Sequence, residues 1–236
     1  MKKYVLSVSM LLMSGLISVC SFAQTADEIV DKYIKEIGGK EKWRQVKSIQ
    51  VDGQIEVQGL VIPYTVKGIQ NVGLRVDAEF QGQKIIDIVT PEAGWSQNPL
   101  AGKTTLQPLS KEELKEKLDE LDLQDEFVDY KEKGSTIEFL GKDEEDGNEY
   151  YKVKLTSKNA NETTYFFDVK TALIYKQETM SKQQGQDVKV ISKNYNYQAT
   201  EFGIKMPFKV DQMGMMMVSN KVTINPTVDT AIFKAN

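Results

Sequence analysis

The side chains that most often carry catalysis or bind metals are scarce in this chain. Its 236 residues include no histidine and a single cysteine, Cys20. Histidine is the commonest general base and zinc ligand, and it is the usual partner of a serine or cysteine nucleophile. Arg44 and Arg75 are the two arginines, so paired guanidinium clamps for phosphate are scarce too. We therefore predict no catalytic residues, no metal site and no cofactor.

Acidic clusters give no stronger indication of chemistry. The run Asp143–Gly147 has the composition of a calcium loop but lacks the alternating ligand spacing and the distal glutamate. Acidic pairs such as Asp119 and Glu120 lie on a densely charged helix face, whereas a general acid needs an apolar setting that tunes its pKa. We interpret both groups as solvated surface.

Methionines near the C-terminus are the best candidates for a binding function. Strand alternation is expected to place three of them on one face. Methionine adapts to irregular apolar partners, so it suits either ordinary core packing or the wall of a cavity that takes acyl chains. The residues predicted to line such a hydrophobic cavity are Met213, Met215, Met217, Trp95 and Ile34.

The first 23 residues have the organisation of a secretory signal peptide. Two lysines follow the first methionine, an apolar stretch covers residues 5–19, and small residues precede a predicted cleavage after Ala23. Removing residues 1–23 leaves a single predicted domain, 24–236, whose formal net charge is −6 rather than −4. We predict a periplasmic protein, monomeric, with no affinity for nucleic acid.

Cys20 leaves a second interpretation of the N-terminus open, because bacterial lipoproteins acylate a cysteine that follows an apolar run. That processing requires a small residue before the cysteine, and here the residue is Val19. We favour cleavage after Ala23, which removes the cysteine. The mature chain would then have no disulfide and would depend on its core for stability.

Two helices and about a dozen strands follow in the mature chain. Thr25 and Glu28 form a capping box that opens an amphipathic helix, and Gly38-Gly39 ends it. Ser110 opens a second, highly charged helix that extends to about Leu121. The strand-like segments begin near Val46 and continue through Leu60–Ile69, Val72–Phe80, Lys84–Thr90, Ala93–Gln97, Thr136–Leu140, Tyr150–Thr156, Glu162–Asp168, Leu173–Met180, Val188–Tyr197, Lys205–Gln212 and Met215–Ile224. So large an antiparallel sheet should curl, with the helices over its concave apolar face.

Several motifs occur in an order and spacing that resemble a known family. They are Val46-x-Ser48-Ile49-x-Val51-x-Gly53, Gly73-Leu74-Arg75-Val76, Gly94-Trp95-Ser96-Gln97-Asn98-Pro99, Asp168-x-Lys170-Thr171-x-Leu173-Ile174, Gly203-Ile204-Lys205-Met206-Pro207-Phe208 and Ile224-Asn225-Pro226-x-Val228-Asp229-x-x-x-Phe233. With the signal peptide and the helix before them, they resemble the LolA/LolB-like outer-membrane lipoprotein-sorting proteins, in the divergent form found in Bacteroidetes.

The resemblance implies a mainly β fold: an unclosed antiparallel β-barrel of about eleven strands with covering helices. It also implies a periplasmic carrier that shields lipoprotein acyl chains. In that family an arginine near the first helix and strand helps to hold the lid shut, and Arg44 lies in the corresponding region. Arg44 is therefore the candidate lid contact.

Our leading hypothesis is a non-enzymatic periplasmic carrier that binds lipidated proteins or another hydrophobic ligand. A sensor or interaction module of the cell envelope, which would dock a membrane partner, is the alternative because one fold serves several functions. An enzyme that works without histidine is a third hypothesis. The sequence names neither the ligand nor the docking partner.

Overall fold

Thirteen antiparallel strands form one continuous sheet in the computed structural model, which describes residues 25–183 and 186–235. The strands are β1 (Ser48–Val57), β2 (Leu60–Ile69), β3 (Gly73–Phe80), β4 (Gln83–Val89), β5 (Gly94–Asn98), β6 (Lys103–Pro108), β7 (Thr136–Glu145), β8 (Asn148–Thr156), β9 (Glu162–Asp168), β10 (Ile174–Gln183), β11 (Gln186–Ala199), β12 (Lys205–Gln212) and β13 (Met215–Ile224). The helices are α1 (Ala26–Glu36), α2 (Lys40–Trp43) and α3 (Lys111–Lys117), with 3-10 turns at Pro99–Ala101, Leu118–Leu121 and Thr230–Phe233. The predicted signal peptide, 1–23, lies outside the described residues.

The sheet is an unclosed barrel, as predicted. Its strand order is β6-β5-β4-β3-β2-β1-β13-β12-β11-β10-β9-β8-β7, so β6 and β7 are its two edges. Strands that are adjacent in the sequence pair as antiparallel neighbours, with the exception of the edge strands β6 and β7, which are joined only by the chain between them. In addition, β1 pairs with β13. That arrangement places the first and the last strand side by side in the middle of the sheet.

Within the described residues, four two-residue turns with the same backbone conformation set hairpin registers. They are Gln58-Gly59, Gln81-Gly82, Asp146-Gly147 and Met213-Gly214, and both residues of each have positive φ. Two consecutive residues with positive φ are the signature of the type I′ turn, whose twist matches that of paired strands. Glycine at the second position adopts this conformation without steric cost.

Helix α1 forms the centre of the hydrophobic core. The predicted capping box is present, with the Glu28 N–H donating to the Thr25 hydroxyl and the Thr25 N–H donating to the Glu28 carboxylate. The apolar stripe of α1 is buried, as its helical spacing predicted, and it packs on one face of β7–β10. We call this the inner face of the sheet.

The connection from β6 to β7, residues 109–135, crosses the same face, and we call it the cover. Phe127 of the cover is completely buried and makes edge-to-face contacts with Tyr33 of α1, Tyr165 and Phe167 at centroid distances of 5.8, 4.8 and 5.3 Å. On β2, a methyl group added at Gly68 would lie 3.2 Å from the Leu123 side chain. The cover therefore packs on both halves of the sheet.

The sheet has two strands more than the approximate number expected from the family resemblance. One of them, β6, was not predicted from the sequence. Its sequence, Lys-Thr-Thr-Leu-Gln-Pro, contains one leucine and no apolar alternation, and its side chains are mostly exposed because it is an edge strand. No helix within residues 25–183 and 186–235 is long and apolar enough to cross a membrane.

Candidate functional site

The strand register places Met215 and Met217 on the inner face. Met217 is paired with Ile55 on one side and with Val210 on the other. Directly paired residues of an antiparallel sheet have their side chains on the same face. Ile55 and Ile49 are six residues apart in β1, so their side chains are on the same face. Ile49 is paired with Gly68, which lies under the cover. The two methionines therefore lie on the same face as the core.

This part of the inner face is apolar yet open to solvent. Met215 and Leu60 are 42% and 44% exposed, whereas Val153 and Phe167, under α1 and the cover, are 0% exposed. The side chains of Ile55, Val210 and Met217 are half-buried. We define the inner apolar surface by the residues Ile55, Leu60, Val210, Met215 and Met217; the neighbouring Ile62 is buried, at 5% exposure. It is a surface on which a hydrocarbon chain would replace water.

The other predicted cavity residues lie elsewhere. Met213 is a turn residue with φ 54° and is 59% exposed, so strand alternation does not assign it to a face. Trp95 is paired with Ile88, and the register places both on the outer face, opposite Met217. Ile34 is 3% exposed in the core between α1 and the sheet, so it is covered by the protein itself.

Arg44 connects α2 to the cover. Its Nε and Nη2 donate to the two carboxylate oxygens of Asp129, each at 2.7 Å, and its Nη1 donates to Glu41 at 2.7 Å. A planar guanidinium that binds both oxygens of one carboxylate fixes the orientation as well as the distance. The hydrogen bonds from Arg44, together with its charge, lower the pKa of the Asp129 carboxyl. Arg44 is thus bound to the cover, and its role as a lid contact stays a prediction.

Further hydrogen bonds hold the middle of the cover to the sheet. The Leu121 carbonyl accepts from the Asn71 N–H at 2.9 Å, and the Gln124 amide donates to the Val46 carbonyl at 3.0 Å. The Tyr33 hydroxyl donates to the Asp125 carboxyl at 2.6 Å. Together with the buried Phe127, these bonds make residues 121–130 a fixed part of the fold.

Helix α3, at the start of the cover, is attached much less firmly. None of its seven described residues is buried. Its contacts to the sheet are solvent-exposed, such as the Lys103–Glu113 ion pair at 3.0 Å and the Ser181 hydroxyl on Glu116 at 3.3 Å. Exposed pairs contribute little to stability, about 0–1 kcal/mol each. Of the helical parts, α3 is thus the one that can move at low cost, whereas α1 is firmly packed.

Two adjacent acidic residues of the cover, Asp125 and Glu126, are half-buried. Burial, with the neighbouring Glu126 charge, raises the pKa of Asp125 to about 8, although its carboxyl accepts from Tyr33 and from the Phe127 N–H. Burial likewise raises the pKa of Glu126, which lies beside the Tyr165 hydroxyl. Within the described residues, no group of three or more acidic or cysteine side chains is placed to hold one metal ion.

Sequence reasoning missed Asp125, Glu126 and Asp129. They follow the second predicted helix, where the strand pattern is interrupted, and were not assigned to any element. The sequence does contain a signal for these residues. The neighbouring Phe127 and Val128 are apolar, although the segment around them is charged. Such a pair indicates a connection that is packed on the core rather than a solvated loop.

Solved structures of other proteins have a fold similar to that of this chain. A LolA superfamily protein from Nitrosomonas europaea superimposes with a TM-score of 0.56 at 16% identity, covering 90% of this chain and 99% of that protein. A domain from Vibrio parahaemolyticus, assigned to outer membrane lipoprotein sorting, gives a TM-score of 0.51 at 9% identity, covering 87% and 94%. No protein-family model and no curated protein sequence matches. At these identities the likeness concerns the fold alone, and the chain has the LolA-like fold.

Proposed function

We propose that this protein is a periplasmic carrier that binds the acyl chains of lipoproteins, or another hydrophobic ligand, on the inner apolar surface. The observation that carries the proposal is the partial exposure of apolar side chains on the face that elsewhere forms the core. Met215, at 42% exposure, lies beside Met217 on that face. A soluble protein gains nothing from exposing such a surface unless a partner covers it.

The driving force would be burial of hydrocarbon. Each methylene moved from water into an apolar environment contributes about 0.8 kcal/mol. The methionine side chains are flexible and can adapt to chains of different shape. No reaction is required, and our proposal assigns no catalytic residue.

Transfer of a ligand requires an opening, and α3 is the suitable element. It lacks buried residues, whereas residues 121–130 are held by Arg44, Tyr33 and the buried Phe127. We propose that α3 moves when a ligand enters or leaves, while the Arg44–Asp129 pair keeps the remainder of the cover in place. An envelope membrane partner would then receive the ligand.

Support for the carrier role also comes from the fold. One of the structures with this fold is assigned to outer membrane lipoprotein sorting. The predicted signal peptide would deliver the protein to the periplasm, where such ligands occur. We extend both points to this chain as part of the proposal, together with a monomeric state.

A pair of neighbouring substitutions tests the proposed site. Met217→Asn would place an amide against the ligand without adding charge, and Met216→Asn would place the same amide on the outer face. Both methionines are half-buried, and they are adjacent in β13. An unpaired buried amide costs about 1–3 kcal/mol. We therefore expect Met217→Asn to weaken binding of a fluorescent fatty acid by about tenfold, equivalent to about 1.4 kcal/mol.

The control variant and the native ligand complete the test. Met216→Asn should bind the probe like the parent protein, and native mass spectrometry of protein from its own periplasm should detect a co-purifying lipid or lipoprotein. Equal affinities of both variants and the parent would remove the inner apolar surface from the proposal. Failure of the parent itself to bind the probe would contradict the carrier function.

A further inference from the structure

Four hairpin connections lie at the same end of the sheet. They join β1 to β2, β3 to β4, β5 to β6 and β12 to β13. Because neighbouring strands are antiparallel, the connections after β1, β3 and β5 share one end, and the pairing of Glu56 with Met216 places the start of β13 there too. We call this end the apolar rim and define it by residues 57–62, 80–83, 97–102 and 212–216.

The apolar rim has the most exposed large apolar side chains in the described part of the chain. Leu100, Val61 and Met213 are 64%, 61% and 59% exposed, and they belong to three different hairpins. Leu60 and Met215, which also belong to the inner apolar surface, are exposed beside them. Scattered single residues of this kind are normal on a protein surface, but a group at one end indicates an interaction site.

The apolar rim contains no charged residue. The opposite end of the sheet differs, because its β7–β8 connection carries five carboxylates within residues 143–149, and Glu92, Lys170 and Glu201 lie in three of its other connections. The predicted mature chain carries a net negative charge, so it has no general attraction to an anionic surface. The apolar rim is therefore the end whose charge complements an uncharged, apolar medium.

The spacing of the exposed side chains favours a bilayer over a protein as the partner. Met213 and Leu100 are separated by the strand intervals from β13 to β5, or about 24 Å, because neighbouring strands are about 4.8 Å apart. A stable protein interface buries about 800 Å² on each partner in a continuous, complementary surface. Separate turns do not provide such a surface, whereas the fluid acyl chains of a bilayer surround individual apolar side chains without a complementary shape.

We propose that the apolar rim docks on the surface of a lipid bilayer, with Val61, Leu100 and Met213 inserted among the acyl chains. Docking would also bring the open part of the inner apolar surface next to the membrane, because Leu60 and Met215 belong to both surfaces. The inference goes beyond the proposed carrier function, since docking requires no bound ligand.

Cosedimentation with sucrose-loaded phosphatidylcholine vesicles tests the proposal with the full mature protein. The parent protein is expected to bind, with less than a twofold change in affinity between about 0.05 and 0.5 M NaCl, because apolar insertion is not screened by salt. Val61→Asn combined with Leu100→Asn removes two apolar side chains of the rim without adding charge. This double variant should bind the vesicles at least tenfold more weakly.

Val72→Asn combined with Leu140→Asn is the matched control, because it removes the same two residue types at other exposed positions. Val72 lies in the β2–β3 turn at the opposite end, and Leu140 lies in the edge strand β7; they are 44% and 43% exposed. The control should bind the vesicles like the parent protein.

A fluorophore at single positions gives a second measurement that does not depend on the folding of the double variants. The predicted mature chain contains no cysteine, so Leu100→Cys and Val72→Cys can each carry one nitrobenzoxadiazole label. When vesicles are added, the label at residue 100 should increase in emission and become protected from a quencher dissolved in the water. The label at residue 72 should not change.

Failure of the parent protein to sediment, equal loss of binding in the two double variants, or equal responses of the two labels would overturn the proposal. Binding that requires an anionic lipid and disappears at high salt would overturn it in favour of an electrostatic contact. A parent protein that is dimeric by light scattering, and that Val61→Asn with Leu100→Asn makes monomeric, would assign the apolar rim to a second copy of this chain instead. None of these outcomes depends on whether a fatty acid binds near Met217.

Discussion

Replacement of Asp125 by asparagine is expected to stabilise the protein at pH 8 and to have little effect at pH 4. The Asp125 carboxyl accepts from the Tyr33 hydroxyl and from the Phe127 N–H, and an amide oxygen can accept in its place. Asp125 has φ 62°, a left-handed conformation that asparagine tolerates well. The substitution therefore removes the ionisable group without a new steric cost.

The expected sign follows from proton binding in the two states. Below the ordinary pKa of 3.8, both the folded and the unfolded chain hold the Asp125 proton. Between 3.8 and about 8 the unfolded chain releases it while the folded protein retains it, so the free energy of unfolding falls as the pH rises. One pKa unit corresponds to about 1.4 kcal/mol, so the complete loss amounts to several kcal/mol.

We expect Asp125→Asn to recover at least about 2 kcal/mol at pH 8. Full recovery is not expected, because burial also raises the pKa of Glu126, which remains. The assay is urea denaturation followed by circular dichroism at half-unit steps from pH 4 to pH 8.5. Asp146→Asn is the matched control: Asp146 has φ 54° but is exposed in a hairpin turn. Parallel pH profiles for the parent and Asp125→Asn would refute the interior placement of this carboxyl.

Two further substitutions test other parts of the structure. Arg44→Lys keeps the charge but loses the bidentate contact with the cover, so backbone amides of residues 121–130 should exchange hydrogen faster than in the parent protein. Lys47→Arg, at an exposed residue, is the control and should leave their exchange unchanged. Unchanged exchange in Arg44→Lys would contradict the role of the Arg44–Asp129 contact in holding the cover. Glu145, on the outer face, accepts from Lys176 and Lys193 at 2.6 and 2.5 Å, which lowers its pKa to about 2. The contribution of the Glu145 carboxylate to the free energy of unfolding is present above its ordinary pKa of 4.5 and is lost as the pH falls toward 2. Glu145→Gln should thus lower the free energy of unfolding by about 1–2 kcal/mol at pH 7 and not at pH 2, whereas a pH-independent effect would point to packing.

The regular parts of the fold were predictable because local rules determine them. The Thr25 capping box and the apolar spacing of α1 predicted both the start and the buried face of that helix. The turns at Gln58-Gly59, Gln81-Gly82 and Asp146-Gly147 are of a kind that a sequence can indicate, because few residue pairs accept two successive positive φ values. In each case the signal lies within a few residues.

The parts that could not be predicted depend on pairing across the sheet. Strand alternation shows that Met215 and Met217 share a face, but only the pairing of β13 with β1 identifies that face as the inner one. The same dependence explains Trp95, whose face follows from three successive strand registers between β2 and β5. The β6 strand has no apolar alternation, and the pKa of Asp125 is raised mainly by burial, which arises only when the chain folds. Tertiary contacts decide these features.

Photo-crosslinking tests the central claim, that hydrocarbon binds on the inner apolar surface, most directly. The mature protein would be irradiated with a long-chain fatty acid that carries a diazirine near its methyl end, and labelled peptides would be identified by mass spectrometry. We expect labelling around Ile55 and Met215–Met217 that disappears when unlabelled fatty acid is added in excess. Labelling confined to the outer face, around Trp95 or Met216, or labelling that excess fatty acid does not displace, would contradict the proposed site.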